Sequence, residues 1–112
     1  MTLDEYQTGA RSTALYPENA RIIYPALKLA GEAGEVAEKL GKLMRDEGYL
    51  PGAELTEEQK AALTKELGDV LWYVANLAAD LGVTLEQVAN VNLAKLASRK
   101  ERGVLGGSGD DR

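Results

Sequence analysis

The sequence predicts an all-α protein, a four-helix-type bundle. Three observations carry this. Apolar residues recur at three- and four-residue spacing through "LAGEAGEVAEKLGKLM" and "LTKELGDVLWYVANLAADL", which is the period of a helix and not the alternation of a strand. Leu and Ala dominate an apolar fraction of 45% that contains no Phe, and both are strong helix formers. The breaks between the periodic segments carry Pro, Gly or the Thr-x-x-Gln pattern that opens helices.

The elements follow in order. A first helix covers Leu3 to Leu15, weakened at Gly9. Tyr16-Pro17-Glu18-Asn19 is a turn, and a short helical turn is expected from Ala20 to Ile23. Pro25 suits the first turn of a second helix, where its missing N–H costs least. That helix runs to Glu47, about 35 Å, with its apolar stripe on Ala26, Leu29, Ala30, Ala33, Val36, Ala37, Leu40 and Met44. Gly48, Pro51 and Gly52 end it. Thr56-Glu57-Glu58-Gln59 is a capping box that opens a third helix running to Leu81. Thr84-Leu85-Glu86-Gln87 is another, opening a fourth helix that runs to Lys100. One domain is expected over 1–103, followed by a loose Gly-rich tail over 104–112.

Composition removes several chemistries. There is no Cys and no His among the 112 residues, so thiolate and imidazole metal sites, Cys nucleophiles and Ser-His triads are excluded. A net charge of −5 argues against nonspecific nucleic-acid binding. The longest apolar run, Val70 to Ala79, is far short of the roughly 20 residues that span a bilayer. The cytoplasm is the expected compartment, and no membrane or nucleic-acid partner is expected.

The third helix is apolar on two sides. Leu63, Leu67, Val70, Val74, Leu77 and Leu81 line one, and Trp72, Ala75 and Ala79 the other. Such a helix is buried on both sides, which four helices alone accomplish poorly. A homo-oligomer is expected; the alternative is that Trp72 packs under the first helix of its own chain.

The chemistry is concentrated in carboxylates. Glu32, Glu35 and Glu38 follow one another three residues apart on the second helix, and Glu66 and Asp69 are three apart on the third, with Tyr73 on the same line. Residues so spaced are neighbours on a helix surface. Two helices side by side bring the pairs Glu32/Glu35 and Glu66/Asp69 to one seam, where a hard cation, Mg²⁺ or Mn²⁺, suits an all-oxygen cage. The plain alternative is a solvated acidic face, with i,i+4 pairs Glu35–Lys39 and Glu38–Lys42. Gly31, Gly34 and Gly68 beside the acids suggest close backbone approach or room for a ligand. On the fourth helix Asn92, Lys95, Arg99 and Arg102 form a polar, mostly cationic line that fits phosphate oxygens.

"GEAGEVAEKL", "ELGDVLWYVANLA" and "NLAKLASRKERG" resemble the MazG-like, all-α nucleoside triphosphate pyrophosphohydrolases. The resemblance covers the chain from "LDEYQ" to Gly103. It implies a helical bundle assembled as a homodimer or homotetramer, with Mg²⁺ held by Glu32, Glu35, Glu66 and Asp69. It implies water attack at the α-phosphorus of a nucleoside triphosphate, giving a monophosphate and pyrophosphate. Tyr73 matches a position lining the nucleotide pocket. Asn92, Lys95 and Arg99 match a line that contacts substrate, and Lys28 shares a face with Glu32 and Glu35. Many relatives carry a further Glu where this chain has Gly31, so Glu35 or Glu38 is left as the carboxylate that activates water. Tyr6, Gln7 and Arg11 are candidates for the pocket wall. Two alternatives stay open: a related pyrophosphatase acting on phosphoribosyl-ATP, dUTP or dCTP, and a non-catalytic helical nucleotide-binding regulator or adaptor.

Overall fold

Three of the four helices begin on a threonine. The computed structural model describes residues 1–112 and contains α1 (Leu3–Ser12), α2 (Ile23–Glu47), α3 (Glu57–Asp80) and α4 (Leu85–Glu101), with one 3-10 turn at Glu18–Ala20 and no strand. Thr56 and Thr84 cap α3 and α4 as expected: each hydroxyl accepts from the amide three residues on, and the Gln59 and Gln87 side chains return the bond. Thr2 and Glu5 make a third capping box that the sequence reading did not single out. It satisfies two of the helix's otherwise orphaned N–H groups.

Three boundaries move. α1 stops at Ser12 instead of Leu15, because Thr13 turns out of the helix and folds its hydroxyl onto the Ala10 carbonyl. The short helical turn lies at Glu18–Ala20, ahead of its expected place. α2 starts two residues before Pro25, which remains in the first turn, where its missing donor has no partner to lose. At the other end Gly48 takes φ +70° and lets the Tyr49 amide reach back to the Leu43 carbonyl at 3.0 Å, a left-handed stop that favours glycine.

α2 and α3 form a long antiparallel hairpin, and α1 crosses α3. The core lies under that crossing: Ala10, Ala75 and Leu85, with Tyr6, Trp72 and Val74 packed against them. Trp72 donates its indole N–H to Thr13 at 2.8 Å, so it does lie beneath the first helix of its own chain. Gln7 ties three elements at once. Its amide donates to the Ala75 and Val83 carbonyls at 3.2 and 3.0 Å, and its oxygen accepts from the Leu85 amide at 3.1 Å.

This core is small. Seven of 112 residues are buried, and the radius of gyration is 17.0 Å, against roughly 13 Å for a globular chain of this length. α4 packs on α1 and α3 through its buried first residue, Leu85, while Val91 and Leu93 are about two-thirds exposed. On α3, Leu67 and Leu71 are also exposed. No helix is long and apolar enough to cross a membrane.

Candidate functional site

The α2–α3 hairpin brings acids together across its seam. Glu32 on α2 and Glu66 and Asp69 on α3 each place a carboxylate oxygen within 4.8 Å of the others. The spacing explains the α3 pair, since three residues return to nearly the same face. Glu35 does not join them. It lies one turn on from Glu32, exposed and without an ion pair, so three of the four expected acids form the group. Glu38 is farther out and binds Lys42 at 3.2 Å, the expected i,i+4 pair.

Lys39 does not make the pair of the plain alternative. Its ammonium reaches across the hairpin to Glu66 at 3.3 Å instead of pairing with Glu35 on its own helix. Glu66 is the better partner because it is mostly shielded, with 18% of its side chain exposed, and a shielded charge attracts more strongly. Beyond it, Lys39, Lys42, Glu47 and Glu58 line an opening of about 320 Å³ between the two helices.

Aromatic side chains adjoin the acids. Glu32, Asp69, Trp72 and Tyr73 line an open recess of about 300 Å³. A second recess, lined by Thr13, Leu15, Tyr16, Pro17, Tyr24 and Trp72, shares Trp72 with it. The rings form a chain: Tyr16 to Tyr24 at 5.1 Å, Tyr24 to Tyr73 at 6.2 Å, and Trp72 edge-on to Tyr73 at 4.8 Å. Burial first, then the Tyr24 side chain, then the Glu32 and Asp69 charges push the Tyr73 phenol up to about 12. Burial and the Asp69 charge also raise Tyr6, so the field of the acids extends to α1.

Tyr73 therefore shares a recess with Glu32 and Asp69, and Tyr6 feels the Asp69 charge. Gln7 and Arg11 line a separate recess of about 560 Å³ beside Ala79, Val83 and Thr84, not the one that holds the acids. Gln7 is spent on backbone groups, and Arg11 binds Tyr16, Asn76 and Asp80. Lys28 is exposed one turn before Glu32. The line on α4 is not brought to the acids within the chain. Asn92 is exposed, Lys95 pairs with Asp110 at 3.4 Å, and the buried Arg99 donates to the Gly109 and Asp110 carbonyls at 3.3 and 2.8 Å. The tail thus folds back along α4. Apart from their own turn of helix, Gly31, Gly34 and Gly68 have no atom within 4 Å of where a Cβ would stand. No backbone approaches them within the chain, and the space beside them is open.

Sequence reasoning missed Tyr24, Trp72 as a lining residue, the role of Lys39, and Asp80. Tyr24 carried one signal: it is aromatic and directly precedes the proline in the first turn of the acid-bearing helix.

Three clustered carboxylates, in a chain without His or Cys, are a donor set for a hard cation. Residues 25–104 match the family model described as the MazG nucleotide pyrophosphohydrolase domain. The chain is similar to the Gene 37 protein of Mycobacterium phage L5, 46% identical over the full length of both. No solved structure matches it. The match spans α2, α3 and α4 together with all three clustered acids, and the chain belongs to the MazG nucleotide pyrophosphohydrolase family.

Proposed function

We propose that the protein hydrolyses nucleoside triphosphates to monophosphate and pyrophosphate with Mg²⁺, by water attack at the α-phosphorus. One observation carries the reading: two helices deliver three carboxylates to a single point beside an aromatic recess. In this reading Glu32, Glu66 and Asp69 hold the cation, with Mn²⁺ as a substitute. Bound Mg²⁺ supplies neutralisation of phosphate charge and a water of lowered pKa, so the absence of His is no obstacle.

The chain's own groups divide the remaining work. Glu35, exposed and free of ion pairs one turn on from Glu32, takes the proton from water in this reading. Glu38, engaged by Lys42, is the less available of the two. Tyr24 and Trp72 give a flat apolar wall for the base, and a neutral Tyr73 joins that wall to the phosphate end. In this reading Lys28, exposed one turn before Glu32, binds phosphate oxygens.

Asn92 and Lys95 join the site from a second copy in this reading, whereas Arg99 is held by the tail carbonyls and orders the segment beside them. The expanded chain and the uncovered Leu67, Leu71, Val91 and Leu93 favour a homodimer or homotetramer, because so small a core is marginal alone.

The test incubates purified protein with each common NTP and dNTP, with Mg²⁺ and with EDTA, and resolves the products. Metal-dependent monophosphate and pyrophosphate are expected. Diphosphate and inorganic phosphate would place the cut at the wrong bond. No turnover of these substrates, of phosphoribosyl-ATP, or of dUTP and dCTP would leave a nucleotide-binding regulator.

A further inference from the structure

Asp80, the last residue of α3, is a buried carboxylate for which the hydrolysis has no use. Its side chain is fully shielded. Oδ2 accepts from the Tyr16 hydroxyl at 2.8 Å and from the Ile22 amide at 2.9 Å. Oδ1 lies 2.8 Å from Arg11 Nη1, an ion pair in which the N–H is not aligned as a hydrogen bond. Burial pushes the Asp80 carboxyl up, but the Ile22 amide, the Tyr16 hydroxyl and the Arg11 charge outweigh it and hold the group below the usual carboxylate range.

Ile22 is the one non-glycine residue with positive φ, at φ 69° and ψ −59°. The Ile23 amide closes onto the Arg21 carbonyl at 2.8 Å, making a γ-turn of the rare and strained hand. A β-branched residue in that conformation is an outlier, and it persists only where its surroundings hold it. Asp80 is bonded to its amide. Two residues on stands Tyr24, its ring tilted between Tyr16, whose hydroxyl also ends on Asp80, and Tyr73 in the acid recess. One carboxylate therefore pins both ends of the segment 16–22.

We propose that Asp80 is a positioning residue: by holding the strained Ile22 turn and the Tyr16 hydroxyl, it sets Tyr24 against Tyr73 and so shapes the aromatic wall for the nucleotide base. The proposal rests on the nucleotide reading of the acid recess and deepens it. It has a specific signature. An isoleucine at position 22 needs Asp80 to stay left-handed, whereas a glycine adopts that conformation freely. Loss of Asp80 is therefore costly with Ile22 and mild with glycine there.

The experiment compares wild type, D80A, I22G and the double variant D80A/I22G. Near-UV circular dichroism of the metal-free proteins reports the contact of the sole tryptophan, Trp72, with Tyr73. Steady-state kinetics with Mg²⁺ and the fastest nucleotide give KM and kcat. D80A is expected to keep its far-UV helix signal, lose near-UV intensity and raise KM about tenfold with kcat within about twofold, and I22G is expected to recover KM to within about threefold. An unchanged near-UV spectrum and KM in D80A would overturn the proposal. So would a loss that I22G does not relieve, since that marks a merely structural role. Should D80A lose its helices, D80N keeps an oxygen for Ile22 and Tyr16; a smaller loss relieved by I22G supports the proposal, and no relief overturns it. If wild type turns over no nucleotide, the functional reading fails, while near-UV loss and rescue still decide the positioning.

Discussion

The Lys39 ammonium on α2 lies 3.3 Å from the Glu66 carboxylate on α3, so the acid group carries its own counter-cation. A bound divalent ion competes with that ammonium for Glu66. Lys39→Met should tighten Mn²⁺ binding by about three- to tenfold, because removing the competitor leaves the acids intact. The metal-free protein should lose about 0.5 kcal/mol, the modest worth of a partly exposed pair. Calorimetric Mn²⁺ titration and urea unfolding check the two signs; weaker Mn²⁺ binding would show that Lys39 supports the site.

Glu32→Gln and Asp69→Asn each remove one charged ligand from the group. Turnover should fall at least about a hundredfold with Mg²⁺, while the far-UV spectrum is unchanged. Glu35→Gln should lower turnover comparably yet leave Mn²⁺ affinity within about twofold, as expected of a proton acceptor outside the ligand group. Equal loss of metal affinity in all three would make Glu35 a ligand.

Asp80 makes stability sensitive to acid. Its folded-state pKa is depressed, so its contribution is present above the unfolded value of about 3.9 and is lost as pH falls through the lower folded value. Asp80→Asn should cost about 1–3 kcal/mol at pH 6, discounted for Arg11, a third of whose side chain is exposed. The gap between the two proteins should narrow as pH drops toward 3. Urea midpoints at both pH values test this, and a gap that widens in acid would contradict it.

Leu67 is 57% exposed on the outer side of α3. If a second copy covers it, Leu67→Glu should shift the protein toward monomer in analytical ultracentrifugation and expose surface that binds ANS. Equal mixtures of Lys95→Ala and Glu32→Gln chains should regain up to about a quarter of wild-type activity if one copy's α4 serves another's acids. No recovery on mixing would place Lys95 outside the site.

Gly68 has open space where its Cβ would stand. Gly68→Ala should stabilise an isolated chain by about 0.5–1 kcal/mol. Stabilisation with full activity would mean that neither a ligand nor a second copy needs that space; a rise in KM or a loss of assembly would identify the occupant.

Much of the architecture is legible in the sequence because it is local. Thr56 with Gln59 and Thr84 with Gln87 open helices through bonds three residues long, and Gly48 closes one by its own backbone freedom. The phase of Glu66 and Asp69 follows from 3.6 residues per turn. Composition also limits the chemistry, since without His or Cys a metal site would have only oxygen ligands to draw on. Tertiary structure decided the rest, and each such decision is a contact between residues distant in the chain. Glu32 faces Glu66 and Asp69 while Glu35 does not, because the roll of α2 against α3 is set by packing along the whole hairpin. Lys39 chose Glu66 over the carboxylate four residues before it, because desolvation at the seam strengthens that pair. Gln7 and Arg11 went to the crossing of α1 over α3, where buried carbonyls and a buried carboxylate had to be satisfied. Ile22 took a conformation its own side chain disfavours because Asp80, fifty-eight residues away, holds its amide. Periodicity reports which residues share a face; only the packed helices decide what that face meets.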